Sequence, residues 1–431
     1  MKAELVVRGG MVDDATRDVV VSRGTIVAVT EPGAGGDARK VIDATGLAVL
    51  PGAVDAHVHF DAPGREEWEG WASGSLAAAA GGVTTVVDMP IDSDPPTTDA
   101  GTVRAKRDLA ERSSLVDFAL WGGLVPYNAP ALGPLLDAGV VGLKAFLCDS
   151  GWPEFPACDA DTLARGMAAA GRAGLPVAVH CEEPSLFGAG GWERPVASEV
   201  AAVAQAGAAA AAHGARLHVV HCSSPDAVLE AKRWPGTTVE TCPHYLALNE
   251  DDVSRIGADA TCCPPVRAEG DRRRMVALAA DGTIDSVASD HSPCPPAFKE
   301  RSSPFAGVAG VETTLSVLLS LDLLPLRDIV RLRGAAAALC RLGHKGALAP
   351  GYDADLALVD VDATWTVLPE ALHSRHRRSP FLGRVLPGVV IATIVGGVVV
   401  YEAGGQAAEP SGRFLTPGVP GRIQREMEKS S

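Results

Sequence analysis

The sequence predicts an α/β protein: a parallel (β/α)8 barrel of the TIM type with a small β-sandwich assembled from both chain ends. Three observations predict it. Between residues 51 and 349, short apolar strands alternate with Ala-rich helical stretches, the pattern of a parallel sheet wound with helices. Val-rich segments broken by Gly turns fill residues 1–50 and return over 350–410, the texture of a separate β unit. Residues with metal-ligand chemistry end several different strands of the middle portion, where a barrel gathers its functional groups.

The elements follow in order. ELVVRGG, DVVVSRGTIVAVTE and KVIDATGLAVLPG supply the first β segments. The barrel strands are then read in AVDAHVH, TTVVDMP, FALWGGL, GLKAFL, PVAVHCEE, LHVVHCSS, TTVETCPH and DSVASDH. YDADLALVDVDATWTV and GVVIATIVGGVVVYEAG return the chain to the sandwich. Residues 411–431 are polar and Pro/Gly-rich, and a loose arm or an oligomer contact is expected there. A doubly wound open sheet is the competing architecture. No GxGxxG follows the first strand, which counts against it.

Composition narrows the function. The chain has 431 residues, 47% hydrophobic and 5% aromatic, so Ala, Val and Leu must build the core. A net charge of −15 argues against nucleic acid or an anionic membrane as partner. No apolar run is long enough to span a bilayer, and no charged segment followed by an apolar one opens the chain. The nine cysteines are scattered and odd in number, with no CxxC. A reducing cytoplasm is therefore expected, without a disulfide framework.

His57 and His59 stand two apart at the end of an apolar strand, next to Asp55. Residues i and i+2 share a strand face, so two imidazoles can grip one metal ion. His180 ends PVAVH, His221 ends LHVVH, Asp290 ends DSVASD, and Lys144 lies within GLKAFL. His218 and His221 are three apart, so strand alternation turns them to opposite faces. His221, nearer the strand end, is chosen as the functional one, and His218 is read as structural. His244, ending TVETCPH, contacts substrate or supports a loop. His213, His344, His373 and His376 are expected to be solvated, and His291 to shape a loop. Lys144 is the odd member, because an ammonium repels metal ions. Buried beside cations it would be neutral. It could then take up CO2 as a carbamate whose two oxygens bridge two ions. The alternative is an ion pair with Asp290.

These residues resemble the cyclic amidohydrolases of the amidohydrolase superfamily, and within them the allantoinases. The resemblance covers almost the whole chain. It rests on DAHVHF followed by PGREEWEG, on AAAAGGVTTVVDMP, and on GLKAF, VHCEE, VHCSS, ETCPHYL, CCPPVR and SDHSPCPP. It implies two divalent ions, most often zinc and sometimes cobalt or another ion. His57, His59 and Asp290 would hold one ion and His180 and His221 the other, with carboxylated Lys144 bridging both. It further implies a homotetramer, a small cyclic ureide as substrate, and opening of a ring amide by an activated water. Asp290 would shuttle the proton. Main-chain groups near Cys263 and Pro264 would hold the ring, with His244 as a further candidate contact.

Dihydroorotases usually carry Arg and Asn where this chain has Asp61 and Ile91, a poor match for an acidic substrate. Hydantoinases and dihydropyrimidinases, the alternative reading, lack the PGRxxWEG run. Departures from the allantoinases are Asp61 and Asp92, where Asn is frequent, and Phe305 and Glu312, where Trp and Gln are common. A non-catalytic relative of the same fold would lack metal ligands, and here all six positions are filled.

Overall fold

The computed structural model describes residues 3–418 except 192 and 407. The strands, in chain order, are β1 Ala3–Val12, β2 Ala15–Ser22, β3 Thr25–Thr30, β4 Ala38–Asp43 and β5 Ala48–Pro51. Then come β6 Ala53–Val58, β7 Val83–Asp88, β8 Asp117–Leu120, β9 Gly122–Gly123, β10 Leu143–Phe146, β11 Pro176–His180, β12 Arg216–Val219, β13 Thr238–Thr241 and β14 Ser286–Val287. Last are β15 Leu356–Thr366, β16 Val385–Val395 and β17 Val398–Glu402.

Strands β6 to β14 form the barrel. They pair in parallel and in sequence order, β6-β7-β8 and then β9 through β14. Gly122 of β9 pairs with Leu143, and Val141 N donates to Leu120 O, so β8 and β9 are two halves of one stave. The ring closes where Val58 bridges His291 and His59 N donates to His291 O at 2.8 Å. Sequential pairing that closes on itself excludes the open doubly wound sheet, in which strand order reverses at a switch point.

Helices follow the strands, among them Trp71–Ala80 after β6, Ala100–Glu111 after β7, Ala160–Ala173 after β10 and Val196–His213 after β11. Local chemistry sets their ends. Asp99 caps the second, accepting from Gly101 N and Thr102 N, while the Thr102 hydroxyl closes the box on the Asp99 backbone. Gly174 and Gly214 end the last two in the left-handed conformation. Within the first helix, Gly74 lies against the Phe60 ring, where a Cβ would come within 2.5 Å. The small side chains of these helices let them pack close to the strands. Val177, Val179, Leu217 and Val219 of the barrel meet Ala202, Val203 and Ala206 in one apolar cluster. A second cluster fills the barrel interior around Trp121, Val87, Met89 and Ala178.

Both chain ends form one eight-stranded sheet, β17-β16-β15-β5-β1-β2-β3, with β4 beside β1. Strand β5 pairs antiparallel with β15, which knits the start of the chain to its end. Leu5, Val19, Ile26, Val49, Leu356 and Ile394 make the core of this β unit. Its other side meets the barrel, where the Thr393 hydroxyl donates to Ala79 O.

The segment from 411 to 418 is not a loose arm. Phe414 bridges Phe118, Leu415 N donates to Phe118 O, and Gly418 N donates to Arg341 O. Residues 419–431 of the expected tail lie outside the described residues. Arg413 enters a buried charge cluster in which Lys345 Nζ meets Asp117 Oδ2 at 2.6 Å, Asp353 Oδ2 at 3.0 Å and Asp355 Oδ2 at 2.7 Å. The cluster ties β8, the approach to β15 and the chain's last described turn together. Burial alone would lower the Lys345 pKa, but the three carboxylates outweigh it and hold it above its usual value. Its stabilisation is thus complete below the ordinary lysine pKa and is lost only as pH rises through the folded value. Lys345→Met would leave three buried carboxylates short of a cation. We expect it to lower stability by about 3–5 kcal/mol. A urea titration of purified wild type and variant checks this.

Candidate active site

The barrel collects the sequence-singled residues at the carboxyl ends of its strands. His57, His59, Lys144, His180, His221 and Asp290 all line one cavity of about 550 Å³. His57 belongs to β6, every residue of which is buried, and His59 follows it by two. Lys144 pairs with Ala178, and Phe146 with His180, so Lys144 lies one layer below His180 on adjacent strands. His221 lies two residues past β12 with φ +38°, and Asp290 past β14 with φ +48°. These left-handed turns aim both side chains at the cavity where the strands have already ended.

The ligand-type atoms converge. Asp290 Oδ1 lies 3.2 Å from His57 Nε2 and 3.4 Å from His59 Nε2. His180 Nδ1 lies 2.9 Å from His221 Nε2. The outward nitrogens of three of these histidines meet carboxylates. His57 Nδ1 is 2.8 Å from Glu240 Oε1, His59 Nδ1 is 2.7 Å from Asp92 Oδ2, and His180 Nε2 is 2.8 Å from Glu182 Oε2. For His57 and His180 the carboxylate on the outer nitrogen holds that proton and leaves the inner nitrogen bare for an ion. The backbone behind is braced too: Asp55 accepts from His57 N and Ser289 N.

Burial, with Lys144 adding to it, pushes the pKa values of His57 and His180 down. His221 falls well below the usual range through burial, His180 and Lys144. These three are neutral, as ligands must be. Burial also pulls on His59, but Asp92 and Asp290 outweigh it and raise it to about 9. Burial would raise Asp290, yet the surrounding imidazoles hold it well below the carboxylate range.

Lys144 is 1% exposed and makes no hydrogen bond or ion pair with any described residue. Burial lowers its pKa to about 8. Each of the other buried lysines is satisfied: Lys106 by Asp88, Lys345 by three aspartates, and Lys299 by three backbone carbonyls. The alternative pairing of Lys144 with Asp290 is absent within 4 Å. The Phe146 ring lies 4.8 Å from the Lys144 amine. A buried amine with no hydrogen-bond or ion-pair partner, beside four imidazoles and one carboxylate, fits a group that becomes anionic when ions are bound.

Several expectations are corrected. His218 does not face away from the site. It lies inside the barrel, stacked 6.4 Å from the Trp121 ring, with Nε2 3.4 Å from the same Glu240 that meets His57. Alternation fails as a guide because His221 lies beyond the strand. Cys263 lines the cavity, but Pro264 does not, and its carbonyl accepts the Tyr245 hydroxyl at 2.7 Å. His244 also lies off the cavity wall. It is buried, its Nε2 has no partner among the described residues, and it stands near the Asp290 carboxylate.

His291 accepts from Gly310 N at 3.2 Å and so fastens the loop behind Asp290. Only His213 of the four histidines expected in solvent is fully exposed. His373 Nδ1 lies 2.7 Å from Glu312 Oε1, His376 Nε2 lies 2.9 Å from Glu67 O, and His344 packs on Tyr352. Glu312 thus serves the loop carrying His373 and is absent from the cavity wall. Phe305 does line the cavity, in an aromatic cluster with Trp68, Trp152 and Phe298.

The carboxylates Glu240, Asp92 and Glu182 went unrecognised as partners of the histidines in the sequence. The acid two residues after His180, and the buried-strand glutamate in TVET, were the available signals.

Comparison with known proteins places the chain in a family. The Amidohydrolase family matches residues 48–400. An allantoinase of Solibacter usitatus is 43% identical, the match covering 96% of this chain and 97% of that one. An allantoinase of Streptomyces avermitilis is 41% identical, over 96% of this chain and 98% of its own. Among solved structures, the L-hydantoinase of Arthrobacter aurescens superposes with a TM-score of 0.91 at 31% identity, covering 96% and 100% of the two chains.

Proposed function

The chain belongs to the amidohydrolase family, in its allantoinase branch, and from that premise we propose that it opens the ring amide of allantoin to give allantoate. The observation that carries the reading is the buried Lys144 amine, without a hydrogen-bond or ion-pair partner among the described residues, beside four histidines and Asp290 in one cavity. His57, His59 and Asp290 would hold one divalent ion, His180 and His221 a second, and carboxylated Lys144 would bridge them. Zinc is the first choice of metal. Such ions supply an acidified water as nucleophile and a Lewis acid for the ring carbonyl.

The chain's own residues do the rest. Asp290, ionised and at the cavity wall, accepts the proton of the attacking water and returns it to the leaving ring nitrogen. Glu240, Asp92 and Glu182 fix three imidazoles before substrate arrives. The aromatic cluster around Phe305 keeps water from that side of the cavity and offers flat surfaces to a planar ring. Asp61 and Ile91 bring no cation, so an acidic ring is disfavoured at those positions.

A hydantoinase-type activity is the second reading, favoured by the close superposition on the L-hydantoinase. All nine cysteines are free, which supports a reducing compartment, and we place the protein in the cytoplasm. Met11, Val27, Val41, Val385 and Val398 expose apolar surface on the terminal sheet, which supports self-association into the homotetramer. No helix among the described residues is long and apolar enough to cross a membrane.

The test is ring opening by the zinc- or cobalt-loaded protein on allantoin, hydantoin, dihydrouracil and dihydroorotate. We expect kcat/KM to be highest for allantoin and undetectable for dihydroorotate. Preference for hydantoin or dihydrouracil would move the assignment to the second reading. No turnover of any ring, in protein that binds no divalent ion, would refute both.

A further inference from the structure

Resting on the allantoin reading, we infer that Arg194 recognises the ureido substituent of the substrate, the group that distinguishes allantoin from a bare hydantoin ring. Arg194 lies in the loop after β11 and lines the cavity. Its guanidinium is held on three sides. Nη1 donates to Glu182 Oε2 at 2.5 Å, Nε donates to Gly191 O at 3.1 Å, and the Phe187 ring lies 4.6 Å away. The backbone is fixed as well, because Arg267 Nη1 donates to Arg194 O at 2.6 Å. One group remains: Nη2 makes no hydrogen bond with any described residue, and the side chain keeps 16% of its surface open.

The position of this free edge is informative. Glu182 Oε2 joins Arg194 Nη1 on one side and His180 Nε2 on the other. The guanidinium therefore stands one carboxylate away from a histidine of the reaction centre, beside that centre rather than within it. Its charge is already matched by Glu182. Asp149, next to the Cys148 whose Sγ lies 4.0 Å from Arg194 Nη1, lines the same cavity and would repel a carboxylate substituent there. A neutral ureido group suits these surroundings: its carbonyl accepts from Nη2, and Asp149 is an acceptor in the same cavity for its N–H groups. A planar fork held rigidly in advance loses little freedom on binding, and a lysine cannot reproduce it.

The test compares wild type with Arg194→Lys, which keeps a cation for Glu182 but removes the second donor edge. Steady-state constants for allantoin are measured beside those for unsubstituted hydantoin, as a KM if it is opened and as an inhibition constant if it is not. Bound metal is measured in both proteins. We expect kcat/KM for allantoin to fall about ten- to hundred-fold more than affinity for hydantoin does, mainly through KM. That range is the value of one charge-assisted hydrogen bond. Equal losses on both ligands, or loss of metal that accounts for the fall, would overturn the inference and leave the allantoin reading standing. Failure of wild type to open allantoin would defeat that reading and the inference with it.

Discussion

Asp290→Asn is expected to lower kcat on the preferred ring substrate by about 10²–10⁴-fold, the usual contribution of a positioned acid–base group, while leaving most of the bound metal in place. Asparagine keeps the side chain's shape and one oxygen for His57, His59 and the ion. What it loses is a proton acceptor. The carboxylate is suited to that role because the imidazoles hold it ionised despite burial. Its position is also well supported. Ser292 Oγ donates to Asp290 O at 2.9 Å, and the preceding Ser289 N is held by Asp55. The variant should therefore fold and load normally. Metal analysis beside steady-state kinetics separates the two roles. Full turnover would remove Asp290 from proton transfer, whereas parallel loss of metal and activity would make it a ligand only.

The barrel was legible because its signal is long and regular. Strand–helix alternation over most of the chain leaves few architectures, and strand-end chemistry at His57, His180 and Asp290 marks one face of them. What escaped reading depends on three-dimensional proximity without a local pattern. Glu240 reaches His57 across the barrel, 183 residues away in sequence, and nothing near either residue announces the pair. Strand periodicity also stops applying where a strand stops, which is why alternation separated His218 from His221 although both serve the same interior. His373 and the segment from 411 looked solvated because their neighbours in sequence are polar. Their partners, Glu312 and Asp117, belong to distant elements. Asp92 shows the converse. In the sequence it stood out only as a departure from the asparagine frequent in relatives, yet its carboxylate lies 2.7 Å from His59 Nδ1 and receives the Trp152 indole N–H.

Lys144→Ala is expected to empty the site of at least one ion and to cut turnover by roughly 10³-fold or more, since the Lewis acid and the acidified water it supplies contribute several kcal/mol to the barrier. A structural lysine would behave differently. Its loss would cost stability in proportion to the partners it abandons, and Lys144 has no hydrogen-bond or ion-pair partner among the described residues, only the Phe146 ring 4.8 Å away. Its amine instead bears on the pKa values of His57, His180 and His221 together, so it stands close to both groups of histidines. As an ammonium it would repel ions from both. As a carbamate it would attract them. Two further measurements divide these roles. Short carboxylic acids such as acetate or propionate, added to Lys144→Ala with zinc, should restore part of the activity by filling the vacated space with two oxygens. They should fail with Lys144→Arg, whose cation is permanent. Metal-stripped wild type should also regain activity more slowly with zinc in CO2-depleted buffer than with bicarbonate present. Rescue by neither acid nor bicarbonate would return Lys144 to the rank of a buried cation and leave the two ions, if both bind, without their bridge.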